Sequence, residues 1–189
     1  MFKYSWVWDK AKGGNIMTCK YQPYKIHEDI IIFSKSPASF TKSNNRMSYF
    51  PIMEPQTKRN GKNYSKSNIV DEKWQIEGFE KSYEEKYPKS ILRISNADRK
   101  GMTHPTQKPV ALMQYLIKTY TNEGETVLDN CMGSGTCGVA CKNLNRNFIG
   151  IEKDEKYFEI GVNRVLNHNV EPIKLTLDFE RNVQLKHYL

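Results

Sequence analysis

Several features that would classify a sequence at a glance are missing from this one. No stretch approaches the roughly eighteen consecutive apolar residues of a membrane-spanning helix, so none is expected. The N-terminus, M-F-K-Y-S-W-V-W-D-K, is aromatic and charged where a secretory signal would carry an apolar core. Cysteine is scarce, at four residues, and without a secretion signal these read as reduced thiols of a cytoplasmic protein. Cys131, Cys137 and Cys141 are separated by five and then three residues, which matches no common zinc pattern. They are expected to be buried structural thiols. Neither His27 nor His104 supplies a metal-ligand set, and no metal is expected. No lysine follows the turn at Gly133-Ser134-Gly135, which argues against a Walker phosphate loop.

What is present fits one globular domain with a large polar segment. The chain has 189 residues, 38% of them hydrophobic and 12% aromatic. Its charge is uneven. Residues 1–100 hold 19 Lys and Arg against 11 Asp and Glu, whereas residues 101–189 hold 10 against 10. Residues 34–66 concentrate the excess, with Lys35, Lys42, Arg46, Lys58, Arg59, Lys62 and Lys66 against the single acid Glu54. Such a density suits a surface that tracks phosphates, although a solvated basic loop would look the same.

Residues 1–9 alternate aromatic and small or polar groups, the period of a strand. Residues 26–35 contain Ile30-Ile31-Ile32 and predict a second, well-buried strand. Between Ser36 and about Glu85 no periodicity holds, and Tyr49, Phe50, Tyr64, Trp74, Phe79 and Tyr83 are scattered among the bases. A long irregular insertion of that composition fits backbone contact plus stacking on bases. Residues 88–95 predict another short strand. Pro109 then stands where a helix can begin, and an apolar stripe runs to about Tyr120. Beyond it come a strand at 126–128, a helix at 136–144 and a strand at 148–151. A helix at about 154–166 closes the series, with Phe158, Val162 and Val165 on one face. This β-α-β-α order requires a parallel sheet of buried strands.

The turn between strand 126–128 and its helix forms a crevice at a strand's carboxyl end. Asp129 directly after the strand would repel a pyrophosphate and favour a ligand's ammonium group. Glu152 ends the next strand, 23 positions beyond Asp129, where nucleotide folds place a carboxylate on ribose hydroxyls. An amino-acid end and a ribose together describe S-adenosyl-L-methionine. The competing reading is that Asp129 and Glu152 only cap helices.

Three strings then carry a resemblance: H-P-T-Q-K-P at 104–109, V-L-D-N-C-M-G-S-G-T at 127–136 and F-I-G-I-E-K-D-E-K-Y-F at 148–158. They resemble the amino DNA methyltransferases of the N6-adenine and N4-cytosine families. Their order is that of the β group, in which the cofactor-binding region follows target recognition. The resemblance extends more loosely to residues 1–35 and 87–94. It implies an α/β, Rossmann-like S-adenosylmethionine-dependent methyltransferase fold, incomplete at the N-terminus and interrupted by the irregular basic insertion. The implied organisation is N-terminal strands of the catalytic domain at 1–35 and a target-recognition segment at 36–100. An S-adenosylmethionine-binding part at 101–168 and a tail at 169–189 complete it.

By the same resemblance Asp129, Gly133, Ser134, Gly135 and Thr136 line the cofactor pocket and Glu152 holds the ribose. Thr106, Gln107 and Lys108 face the methionine end, and double-stranded DNA is the partner of the seven bases. Asn130 and Cys131 stand where the family commonly has Pro-Phe. One absence is larger. The family receives its flipped base on a polar-Pro-Pro-aromatic motif, and this chain has no Pro-Pro pair. The expectation is therefore the cofactor-binding C-terminal part of a DNA methyltransferase, without catalytic residues of its own and inactive alone. It would be completed by an upstream segment in trans, and a homodimer is the other partner expected. The alternatives are a non-catalytic DNA- or cofactor-binding remnant, or an RNA or protein methyltransferase.

Overall fold

Trp6 and Trp8 set the geometry of the N-terminal sheet. Two positions apart on β1 (Phe2–Asp9), they share one face of the strand, and that face is buried. The computed structural model describes residues 1–13, 16–36, 46–60, 82–96 and 106–169. These fall in two compact units, Met1–Phe50 with Ser90–Leu189, and Pro51–Lys89.

In the first unit β1 is central. It pairs antiparallel with β2 (His27–Phe33) and parallel with β5 (Ile91–Arg93), with Val7 opposite Asp29 on one side and Ile91 on the other. The strand expected at 88–95 is thus observed. The Trp8 indole N–H donates to the Ile94 carbonyl at 2.8 Å, which supplies the partner a buried indole needs. β2 departs from its expected burial. Its pattern alternates exposed and half-buried, with Phe33 66% exposed, because among the described residues only one face of β2 is covered.

Pro109 precedes α1 (Val110–Tyr120), whose first free N–H groups make a proline cheap at that end. Leu112, Tyr115 and Thr119 bury one side of α1. Tyr115 meets Trp6 edge to face, with centroids 5.8 Å apart. The Trp6 indole N–H donates to the Tyr120 hydroxyl at 2.6 Å, and that hydroxyl lies 3.0 Å from Tyr4 Oη. Burial leads in pushing both phenols above their ordinary range, so this network stays neutral. Tyr49, read from sequence among possible base-stacking aromatics, has its ring 6.5 Å from Tyr4 and 6.3 Å from Tyr120.

The opposite side of α1 packs on α2 (Thr136–Asn143). Ile117, Cys137, Ala140, Cys141 and Leu144 form a core closed by Val110, Met113, Val127 and Phe148. Fully burying an aliphatic side chain of this size stabilises by roughly 1.5–3 kcal/mol, so this cluster holds the helices on the sheet beneath them. That sheet is the parallel pair β6 (Thr126–Asp129) and β7 (Asn147–Gly150), with Val127 opposite Phe148. The Arg146 guanidinium closes the C-terminal ends of two helices at once. It donates to the Thr121 carbonyl at 2.8 Å and to the Leu144 carbonyl, both orphan acceptors. α3 (Glu155–Leu166) follows, capped by Asp154, which accepts the Tyr157 N–H at 3.0 Å.

The expected βαβα order and parallel pairing are therefore present, but the expected full burial is not. Val127 and Phe148 point into the core, while Leu128 (62% exposed), Ile149 (53%) and Ile151 (54%) lie on the open face of the same sheet. Alternation along a strand sends neighbours to opposite faces, and among the described residues only one face is covered. Phe158 is also exposed, which leaves Gly161 as the buried residue of α3.

The second unit corrects the expectation of an irregular insertion. β3 (Glu54–Asn60) and β4 (Ser82–Lys86) form an antiparallel pair, with Glu54 opposite Lys86 and Asn60 opposite Ser82. Glu54 and Lys86 make an ion pair at 3.6 Å, and the Gln56 side-chain amide donates to the Glu85 carbonyl at 3.0 Å. The strand E-P-Q-T-K-R-N has no apolar alternation, so the pairing rests on backbone hydrogen bonds.

Candidate functional site

β6 ends at Asp129, and the chain turns at once. Asp129 Oδ1 accepts the Cys131 N–H at 3.1 Å, an Asx turn that bends the backbone off the sheet. The ladder with the other strand still continues. Ile151 N–H donates to the Asp129 carbonyl at 2.8 Å, and Met132 N–H donates to the Ile151 carbonyl at 3.0 Å. Two left-handed glycines, Gly133 (φ +51°) and Gly135 (φ +74°), then lead into α2. A Cβ on Gly135 would come within 2.8 Å of the Gly161 carbonyl oxygen, and one on Gly161 within 2.9 Å of the Gly133 carbonyl oxygen. The loop lies against α3 glycine to glycine, too close for any side chain.

Glu152 anchors the loop from the end of β7. Its Oε2 accepts the Gly133 N–H at 2.9 Å, and its Oε1 accepts the Asp154 N–H at 3.0 Å. These two backbone donors, Asp154 first, hold its carboxyl below the ordinary range, so it is charged at neutral pH. Asp154 caps α3, and Gly135 precedes α2 without a side-chain cap. The helix-capping reading of Asp129 and Glu152 therefore gives way. Both carboxylates bond to loop backbone and cap no helix.

Ser134 and Thr136 are buried, at 3% and 6% exposure. The Ser134 hydroxyl donates to Gln107 Oε1 at 2.8 Å, which ties the segment before α1 to the glycine loop. Arg164 Nη1 on α3 donates to the Ser134 carbonyl at 3.0 Å, to Ser134 Oγ at 3.2 Å and to Thr136 Oγ1 at 3.0 Å. Gln107, Asp129, Gly133, Ser134, Gly135, Thr136 and Glu152 are thus drawn into one cluster by the loop's own bonds.

Lys108 turns elsewhere. Its ammonium donates to Glu28 Oε2 at 2.6 Å and lies 5.4 Å from the ring centre of Trp8. Burial works to raise the Glu28 carboxyl, but Lys108 and Lys10 outweigh it and leave it below its ordinary value. The segment therefore bridges both sheets of the unit, Gln107 to the loop and Lys108 to β2. Thr106 beside them is exposed.

Cys137 and Cys141 are packing thiols, as expected. Their mutual hydrogen bond, with burial, pushes the Cys137 thiol far up. Cys131 is exposed, against expectation, because it lies on the Asx turn outside the core. Among the described residues no group of His, Cys, Asp and Glu could hold a metal ion, and no helix is long and apolar enough to cross a membrane. Of the seven bases, Lys35 and Arg46 are exposed in the first unit. Lys58 and Arg59 lie on β3, while Lys42, Lys62 and Lys66 fall outside the described residues, as does His104.

Sequence reasoning passed over Arg164, Gly161 and Glu28. A glycine in the middle of an amphipathic helix was a legible signal for Gly161, since it weakens a helix unless something must pass close. Arg164 gave no such signal, because an arginine in a helix's last turn reads as a response to the helix dipole.

Residues 1–163 match the DNA methylase family of N6/N4 type. The Type II methyltransferase M.HpaI of Haemophilus parainfluenzae is 33% identical over 165 residues, 87% of this chain and 46% of that protein. The chain thus spans about half the length of that relative. The crystal structure of the M1.HpyAVI-SAM complex superposes with a TM-score of 0.51 at 27% identity, over 89% of this chain and 63% of that one. PvuII DNA methyltransferase (cytosine-N4-specific) reaches a TM-score of 0.57 at 18% identity, over 90% and 54%, which shows a common fold. With the match covering 163 of its 189 residues, the chain belongs to the N6/N4 DNA methylase family.

Proposed function

We propose that this chain is the cofactor-binding part of a DNA methyltransferase that modifies an exocyclic amine, N6 of adenine or N4 of cytosine. S-adenosyl-L-methionine would supply an electrophilic methyl on a sulfonium. The transfer would form the N–C bond as the S–C bond breaks, release one amine proton to solvent and leave S-adenosylhomocysteine. The observation that carries the reading is the glycine loop at the end of β6, with the Glu152 carboxylate hydrogen-bonded beneath it. That carboxylate is charged, and each of its oxygens keeps a lone pair for a ribose hydroxyl. Asp129 at the neighbouring strand end suits an ammonium group. The complex of M1.HpyAVI with SAM, at 27% identity, supports the same ligand here.

Double-stranded DNA is the proposed substrate, with Lys35, Lys42, Arg46, Lys58, Arg59, Lys62 and Lys66 following its phosphates. This reading sets the work in the cytoplasm, beside DNA and reduced thiols. The polar-Pro-Pro-aromatic motif that would engage the amine hydrogens is not among these 189 residues. In our reading it comes from a segment outside them, supplied in trans. The open face of Leu128, Ile149 and Ile151 supports this, because parallel strands are ordinarily covered on both faces. Titration calorimetry with S-adenosylmethionine is the test. The chain should bind, and Asp129→Ala and Glu152→Ala should each weaken binding by roughly tenfold or more, the loss of a charged hydrogen bond. An unaltered affinity in both variants would remove the site.

A further inference from the structure

Arg164 is a half-buried cation that has no acidic partner among the described residues. Its three acceptors among the described residues are uncharged oxygens, and all belong to Ser134 and Thr136. Burial lowers the pKa of its guanidinium. Drawing such a charge from water is costly unless the surroundings answer it, and here the glycine loop answers it.

The bonds have a direction. With Arg164 donating to Ser134 Oγ, the hydroxyl keeps its own proton for Gln107 Oε1 at 2.8 Å. One guanidinium on α3 thereby fixes the backbone of the loop, the first hydroxyl of α2 and the amide orientation of Gln107. α3 is pinned at its other contact by a different cation. Lys142 Nζ donates to the Val165 carbonyl at 3.0 Å and the Leu166 carbonyl at 2.9 Å, and bonds to no atom of the loop.

We infer that Arg164 is a positioning residue for the proposed cofactor site, holding Ser134 and Thr136, and through Ser134 also Gln107, in the arrangement that receives the ligand. The inference rests on the S-adenosylmethionine reading above. Its action is indirect, through the loop.

The test is calorimetric titration of the full chain with S-adenosylhomocysteine, alongside thermal unfolding without ligand, for wild type, Arg164→Met, Arg164→Lys and Lys142→Met. Arg164→Met should weaken binding by roughly tenfold or more, the scale of lost bonds to a charged donor. Arg164→Lys keeps a charge with three donors and should recover most of that loss, which also covers the case in which the Met variant fails to fold. Lys142→Met should lower the melting temperature while leaving affinity within about twofold. The inference is overturned if Arg164→Met binds as wild type does, or if both Met variants lose affinity in proportion to their melting temperatures. A wild-type chain that binds neither S-adenosylhomocysteine nor S-adenosylmethionine would sink the cofactor reading itself, and this inference with it.

Discussion

The glycine loop and the β3–β4 pair both depend on hydrogen bonds to backbone groups, yet they are specified in different ways. At the loop every local rule agrees. An Asx turn follows a strand, two glycines take positive φ, and a small-residue contact seats the turn on α3. A buried helix pair behind it supplies the apolar driving force. In the β3–β4 pair the strands lie more than twenty residues apart in sequence and carry Glu, Gln, Lys, Arg and Asn. Nothing local selects that pairing over another. Agreement between levels makes the first region rigid in kind, whereas the second can change its surface without losing a core.

The sharpest way to break this contrast is Gly135→Ala. The substitution forces a side chain into the left-handed region and against the Gly161 carbonyl oxygen at 2.8 Å. Strain of about 1–2 kcal/mol and the backbone clash together should destabilise by about 2–4 kcal/mol, read by urea unfolding. Gly124→Ala is the internal control. Its φ is +78° with nothing within 4 Å of a built Cβ, so strain alone should appear, about 1 kcal/mol. Equal losses at the two glycines would mean that the loop does not press on α3.

The basic residues divide between the two units, and salt dependence can separate them. Lys58, Arg59, Lys62 and Lys66 lie within residues 51–89, while Lys35 and Arg46 lie outside it. If all four contact phosphates, replacing them with glutamine should reduce the slope of log affinity for duplex DNA against log salt by about three to four. The Lys35 and Arg46 pair should change it by about two. A slope indifferent to the four would remove DNA contact from the Pro51–Lys89 unit and leave the affinity to the first.

Much of the first unit was legible for a plain reason. Period-2 aromatics place Trp6 and Trp8, period-3.6 apolars place α1, and Asp129 and Glu152 stand at strand ends that hydrophobic runs announce. Partner identity was less legible. Nothing in the string H-P-T-Q-K-P says that Gln107 turns to Ser134 while Lys108 turns to Glu28, 80 residues away. Apolar runs also told nothing of which face is covered, so Leu128 and Ile149 read as core and lie open. β3 and β4 escaped because strands without apolar alternation leave no periodic trace.

The smallest effect to be measured returns to Glu152, where loop and charge meet. Its folded pKa lies below the ordinary 4.5 because Asp154 and Gly133 donate backbone N–H bonds to it. A carboxylate lowered in this way contributes stability that is fully present above the unfolded pKa and is lost as pH falls through the folded one. Melting temperatures of wild type and Glu152→Gln should therefore differ by a constant amount from about pH 6 to 8 and converge as the pH drops below 4.5. The amide can still accept one N–H bond through its oxygen, but it carries no charge, so the gap measures the charge on the loop bonds. A gap that stayed unchanged down to pH 3 would show that the carboxylate's ionisation adds nothing to holding Gly133, and that the loop's shape rests on its glycines, the Asp129 turn and Arg164.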